Sequence, residues 1–110
     1  MKRLYVVVRA DIPAGLQLAQ ACHVTREFTR AHPEEDVGEN LVVLAAKSEP
    51  ELQELFTDAR SVCPRTAFYE PDLDGAMTAV ALGGEARRLL SSFPLALRYR
   101  GLEEPVCPRF

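Results

Sequence analysis

The sequence predicts an α/β protein in three layers, a four-stranded mixed β-sheet with helices on both faces. Three observations carry this. Leu4 to Val8 and Leu41 to Ala46 are near-continuous apolar runs rich in β-formers; a helical period lies between them; and two shorter β-like runs, Thr66 to Glu70 and Met77 to Leu82, follow with a loop between. Continuous apolar strands belong to sheets covered on both faces, and strand, helix, strand in series makes a parallel βαβ unit.

Each element has a local cause. Leu4 to Val8 and Leu41 to Ala46 read as central parallel strands. Pro13 opens the first helix, whose apolar stripe is formed by Leu18, Ala21, Cys22, Thr25 and Phe28 and which ends near His32-Pro33. On a helical wheel that stripe centres near Leu18 and Thr25, placing Gln20, His23, Glu27 and Arg30 opposite and Gln17 at the margin. Ser48 with Glu51 reads as a capping box, and Leu52, Leu55, Phe56, Ala59 and Val62 continue a second crossover helix to Pro64. Thr66 to Glu70 and Met77 to Leu82 suit an antiparallel pair joined through Pro71 to Ala76. Ala86, Leu89, Leu90 and Phe93 mark a last helix closed by Pro94. Residues 1–97 read as one domain and 98–110 as a C-terminal tail, with no internal repeat or low-complexity stretch.

The 110 residues are 47% hydrophobic and 26% charged, ordinary for one globular domain. No apolar run approaches the roughly 20 residues that cross a bilayer, and the short run after Met1-Lys2-Arg3 is too brief for a secretory signal, so a cytoplasmic protein is expected. Cys22, Cys63 and Cys107 have no paired spacing; free thiols are expected, and neither a disulfide framework nor a metal site. A net charge of −3 argues against nonspecific coating of nucleic acid. It leaves room for a local patch, since 11 of the 13 cations are Arg, clustered at Arg26/Arg30, Arg87/Arg88 and Arg98/Arg100. Solvated helix faces would have the same composition.

Parallel strands gather functional groups at their carboxyl ends. Arg9 and Asp11 leave the first strand there, Glu70 and Asp72 leave the third, Thr78 opens the fourth, and the first helix begins with its free N–H groups facing the same space. Asp11, Gln20, His23, Asp72 and Thr78 are therefore expected to border one cleft. His23 off the apolar stripe is a candidate acid, base or donor near neutral pH. An exposed helix histidine with soluble Gln neighbours fits the spacing as well. Glu70 and Asp72 make a candidate carboxylate pair, although Pro-Asp-x-Asp-Gly is also an ordinary turn in which Asp72 and Asp74 bond nearby amides. Asp11 alternatively caps the first helix, and Thr78 is simply a good strand residue. Cys22 and His23 diverge by about 100° on the helix and form no dyad.

Three stretches carry a resemblance: Val-Val-Val-Arg-x-Asp leaving the first strand, Gly15 followed by Ala19-Gln20-Ala21-Cys22-His23, and Thr78-Ala-Val-Ala-Leu-Gly-Gly. Together they resemble the peptidyl-tRNA hydrolases of the archaeal and eukaryotic type, in the same element order to about Leu97. The resemblance implies a four-stranded mixed sheet flanked by helices, a homodimer, the acceptor end of tRNA as partner, and cleavage of the ester joining a peptide to the terminal ribose, without cofactor or metal. It makes His23, Asp72 and Thr78 the catalytic candidates, the first two positioning or activating water and Thr78 bonding the scissile carbonyl or ribose. Arg9, Asp11, Gln17, Gln20 and Glu70 become candidate substrate-binding residues.

The departures are specific. Leu16 stands where the family carries the Lys of a Gly-Lys pair, and the preceding loop, Ile12-Pro13-Ala14, is shorter and lacks cations. Glu70-Pro71-Asp72-Leu73 replaces Asp-Ala-Gly-x-Thr; Thr78 matches the family's second Thr. A branch of small bacterial and phage relatives resembles this variant more closely, with Gln after the Gly and a Glu-Pro-Asp-Leu stretch. A noncatalytic module binding an RNA end or a protein, and a structural assembly subunit making contact through the tail, are the alternative functions.

Overall fold

A computed structural model describes residues 2–98. Arg100, Cys107 and the tail beyond Arg98 lie outside the described residues. Strand β1 (Leu4–Arg9) leads to helix α1 (Ala14–Ala31), strand β2 (Leu41–Ala46), helix α2 (Glu49–Asp58), strand β3 (Arg65–Glu70) and strand β4 (Ala76–Gly83), and a 3-10 helix, Gly84–Leu90, follows. The four-stranded sheet has the order β2-β1-β4-β3. β1 and β2 are parallel, while β4 runs antiparallel to both β1 and β3. This is the mixed α/β sheet expected, and it brings the carboxyl ends of β1, β2 and β3 to one edge together with the starts of both helices. Among the described residues no helix is long and apolar enough to cross a membrane.

The two-residue period of the strands divides the core. Leu4, Val6 and Val8 join Ala79 and Ala81 against Val24 and Phe28 of α1. Tyr5, Val7, Leu44, Val80 and Leu82 meet Leu52 and Leu55 of α2 and Ala86 and Leu90 of the 3-10 helix on the other face. Helices therefore cover both faces, and each fully buried Leu, Val or Phe contributes on the order of 1.5–3 kcal/mol of transfer free energy.

Several local expectations are corrected. β2 is an edge strand, not a central one. Its outer side is strapped by residues 94–96: Leu95 bridges Leu44, the Ala45 N–H donates to the Pro94 carbonyl at 2.8 Å, and the Ala96 N–H to the Val43 carbonyl at 2.9 Å. α2 stops at Asp58 and tightens into a 3-10 turn, Ala59–Ser61, leaving Val62 41% exposed. The Arg65 guanidinium lies over the Phe56 ring and donates to the Phe56 carbonyl at 2.7 Å, satisfying an acceptor that the truncated helix frees. Ser48 is the N-cap of α2 but makes no side-chain cap bond, and Glu51 reaches past it to accept the Lys47 N–H at 2.6 Å, so neither bond of the expected capping box forms. The last helix is 3-10 throughout, not α.

The wheel of α1 is rotated from the one expected. Its buried ridge is Gln17, Gln20, Val24 and Phe28, whereas Leu18 is 58% exposed and Cys22 lies at the surface. Two amides thus lie inside: Gln20, which apolar periodicity assigns to solvent, and Gln17, which it leaves at the margin. They are tolerated because each finds internal partners, which removes the penalty of burying a polar group.

The β3–β4 connection positions the rest of the site. Asp74 (φ 56°) and Gly75 (φ 74°) both adopt the left-handed conformation, and the Gly75 N–H donates to the Glu70 carbonyl at 2.9 Å. Gly costs nothing there, and Asp is among the few other residues that tolerate it. Just inside this turn, Phe68 pairs with Ala79 but Tyr69 pairs with Met77, so Thr78 is an extra residue in β4. A β-bulge of this kind re-aims a side chain. Thr78 and Ala79 consequently both face α1, while Met77 joins the opposite core with Val80.

Candidate functional site at the carboxyl edge of the sheet

The bulge and the buried ridge of α1 meet in a polar chain. The Thr78 hydroxyl donates to Gln20 Oε1 at 2.6 Å, Gln20 Nε2 donates to Glu70 Oε1 at 2.8 Å, and Glu70 Oε2 accepts the Asp72 N–H at 3.1 Å. Thr78 and Gln20 are wholly buried and Glu70 is 9% exposed, so the chain runs from the interior to the surface and ends in a carboxylate. A Gln amide offers both an acceptor and two donors, which is what lets it link a hydroxyl to an anion. The Asp72 N–H and then the Gln20 amide hold the Glu70 carboxyl below the usual Glu range; burial opposes this, and the nearby His23 adds to it.

His23 lies on the exposed side of α1, one turn along from Gln20. Its ring stacks on Phe68 with centroids 4.8 Å apart and planes 19° from parallel. Phe68 and Glu70 face α1 from the same strand, so the ring that carries the imidazole and the anion beside it come from alternate residues of β3. His23 and Glu70 thus lie together, an exposed imidazole beside an oriented carboxylate, and Asp72, whose backbone N–H bonds Glu70, follows on the 3-10 turn, Pro71–Leu73.

The remaining candidates are elsewhere. Asp11 belongs to the opposite layer, where it grips Arg9 through two parallel bonds of 2.9 and 3.0 Å. The Arg9 guanidinium also reaches the Met77 carbonyl at 3.4 Å and lies 3.9 Å from Glu49, whose other oxygen accepts the Met77 N–H at 2.8 Å. Bonding to Asp11 raises the Arg9 pKa and lowers that of Asp11. Arg9 is therefore matched by carboxylates, and the pair clamps β1 to the start of β4. Asp11 does not cap α1, whose N-cap is Pro13. Gln17 is buried as well and donates to the Ile12 carbonyl at 2.7 Å and the Ala10 carbonyl at 3.4 Å, pinning the loop between β1 and α1.

The single cleft expected for Asp11, Gln20, His23, Asp72 and Thr78 is thus corrected. Gln20 and Thr78 stand behind the surface, and Asp11, in the turn after β1, is held on the other side by its two bonds to Arg9. Phe68 and Glu49 were missing from the sequence-derived site. Phe68 had a usable signal, its two-residue spacing from Glu70; Glu49 had none beyond its place at a helix start. Neither a protein-family model nor a curated protein matches this chain.

Proposed function

We propose that the protein hydrolyses the ester joining a peptide or blocked aminoacyl group to tRNA, at the surface formed by His23, Glu70 and Asp72. The observation that carries this reading is the Glu70 carboxylate, held by the Gln20 amide and the Asp72 N–H beside an exposed imidazole. With the fixed Glu70 anion beside it, His23 accepts a proton from attacking water and returns it to the leaving ribose oxygen. Asp72 positions the water. General acid–base help of this kind supplies about 10²- to 10⁴-fold, a useful share for an ester that is already activated. The resemblance at Ala19 to His23 adds the substrate class. Thr78 is here a positioning residue, since its hydroxyl is committed to Gln20 inside the protein.

The test is release of the acyl group from an N-blocked aminoacyl-tRNA by the purified protein. Turnover that disappears in folded His23→Ala and Asp72→Ala variants supports hydrolysis. One observation favours a second reading, a noncatalytic module binding the RNA end at the same edge: Leu16 replaces the ammonium that the resembled family uses. Saturable tRNA binding with no acyl release would establish that reading instead.

A further inference from the structure

Two neighbouring strands send their helices to opposite faces of the sheet. β1 and β2 are adjacent and parallel, yet β1 continues into α1, packed on one face through Val24 and Phe28, and β2 into α2, packed on the other through Leu52 and Leu55. The carboxyl ends of such a pair leave a crevice between the diverging connections, and open α/β sheets bind small ligands there. A cleft of about 450 Å³ lies at this point, lined by Ala10 after β1, Ala45 of β2, Gln17 of α1, and Leu95, Leu97 and Arg98. Small-molecule clefts measure roughly 300–1,000 Å³.

The lining has a specific chemistry. Gln17 is 7% exposed, and its Nε2 donates to the Ile12 and Ala10 carbonyls at 2.7 and 3.4 Å. Two carbonyls fix which end of the amide is nitrogen, so the other end is an acceptor, and among the described residues no donor meets it. Arg98 is exposed and forms an ion pair with no described carboxylate. Leu95 and Leu97 are 60% and 49% exposed, and none of the described residues lining the cleft is acidic.

We propose that this cleft binds an N-acylated apolar amino acid, free or as the C-terminal residue of a peptide. The amide N–H meets the Gln17 oxygen, the carboxylate meets the Arg98 guanidinium, and the side chain lies along Leu95 and Leu97. A free amino acid fits less well, because its ammonium would join Arg98 with no carboxylate in the lining to offset it. This site is separate from the His23 surface. Gln17 and His23 are six residues apart on α1, about 240° around the helix, and His23 stacks on Phe68 of β3 at the far edge of the sheet. Failure of binding here leaves the ester reading intact, and failure of acyl release leaves this site intact.

Titration of the full-length, ¹⁵N-labelled protein with N-acetyl-leucine tests the proposal. Saturable shifts are expected at the Ala10, Ala45 and Leu97 amides, with a Kd on the order of 1 mM or below, and with leucine and N-acetyl-leucinamide at least about tenfold weaker. Arg98→Gln should weaken N-acetyl-leucine about tenfold and abolish its advantage over the amide. Leu95→Glu, at an exposed position, should weaken it by placing a like charge at the cleft; unchanged spectra elsewhere show that both variants are folded. Tighter binding of Ala-Ala-Ala-Leu than of N-acetyl-leucine identifies a peptide C-terminus as the source, and the reverse order identifies the free acylated amino acid. Absence of saturation at about 10 mM, equal binding of leucine or the amide, or shifts confined to the surroundings of His23 overturns the proposal.

Discussion

The Thr78 hydroxyl meets the Gln20 side-chain oxygen at 2.6 Å across 58 residues of sequence, with both residues fully enclosed. That bond joins the bulge of β4 to the buried ridge of α1, and it is the inner anchor of the polar chain ending at Glu70. Thr78→Val keeps the shape but leaves the Gln20 oxygen without its donor, at a cost of about 1–3 kcal/mol. Gln20→Leu should cost more, because Thr78 and Glu70 both lose a partner. In Gln20→Leu with Thr78→Val the loss should fall short of the sum, since one interaction is removed twice. Urea unfolding of the three variants measures this; strict additivity would show that the two groups act independently.

Glu70 gives the chain an acid limb. Its folded pKa is lowered, chiefly by the Asp72 N–H and then by Gln20, from an ordinary value of 4.5. The resulting stability is fully present above that value and is lost as the pH falls through the lower folded one. Glu70→Gln should therefore be less stable than the parent at pH 7 and should lose less stability on acidification. The urea midpoint followed from pH 7 down to about pH 3 reads the difference; parallel curves for the two proteins would remove Glu70 from the account.

The Arg9–Asp11 pair is a clamp at the surface, with the Asp11 side chain 40% exposed. Solvent screening limits an exposed pair to about 1 kcal/mol or less, so Asp11→Asn should have a small effect that shrinks further at high salt. Arg9→Met should be the more damaging change, because Glu49 and the Met77 carbonyl also lose a neighbour. Thermal unfolding at low and high ionic strength separates the two. Asp11→Asn that abolished tRNA ester hydrolysis at unchanged stability would give Asp11 a direct role that its position on the opposite layer does not support.

Leu16 occupies the first turn of α1 and is only half-buried. A long charged side chain there can extend to water along its aliphatic stem. If acyl release is the activity, Leu16→Lys should raise it on the order of 10²-fold, the usual value of one preorganised charge near developing negative charge. Single-turnover kinetics with an N-blocked aminoacyl-tRNA provide the measurement. A folded Leu16→Lys protein that binds tRNA without faster release would favour the binding module.

Arg30 shares the exposed side of α1 with His23, about two turns along the helix, and lies 3.8 Å from Glu27. A phosphate contact there should appear in the salt dependence of tRNA affinity. Arg30→Gln should reduce the slope of log K against log salt by about one, and weaken binding without regard to tRNA sequence. An unchanged slope would place the RNA on another surface.

The β-rich runs Leu4 to Val8 and Leu41 to Ala46, the proline that starts α1, and the Pro-Asp-x-Asp-Gly turn were enough to determine the strands, the crossover and the mixed sheet. Each rests on interactions within a few residues or on a period of two, and such signals survive in a linear chain. The approach of His23 to the end of β3 followed from the same topology. The orientation of α1 was not determined that way. Hydrophobic periodicity turned Leu18 and Cys22 inward and Gln20 outward, and the folded chain does the reverse. An amide is costly inside only while it lacks partners, and those of Gln20 lie 50 and 58 residues away, at Glu70 and Thr78. Thr78 itself faces Gln20 only because the bulge interrupts the alternation of β4; an unbroken strand would send it to the α2 side with Val80 and Leu82. Tertiary structure decided the polar chain because it depends on the bulge of β4 meeting a buried amide of α1 far away in sequence, and neither leaves a local trace.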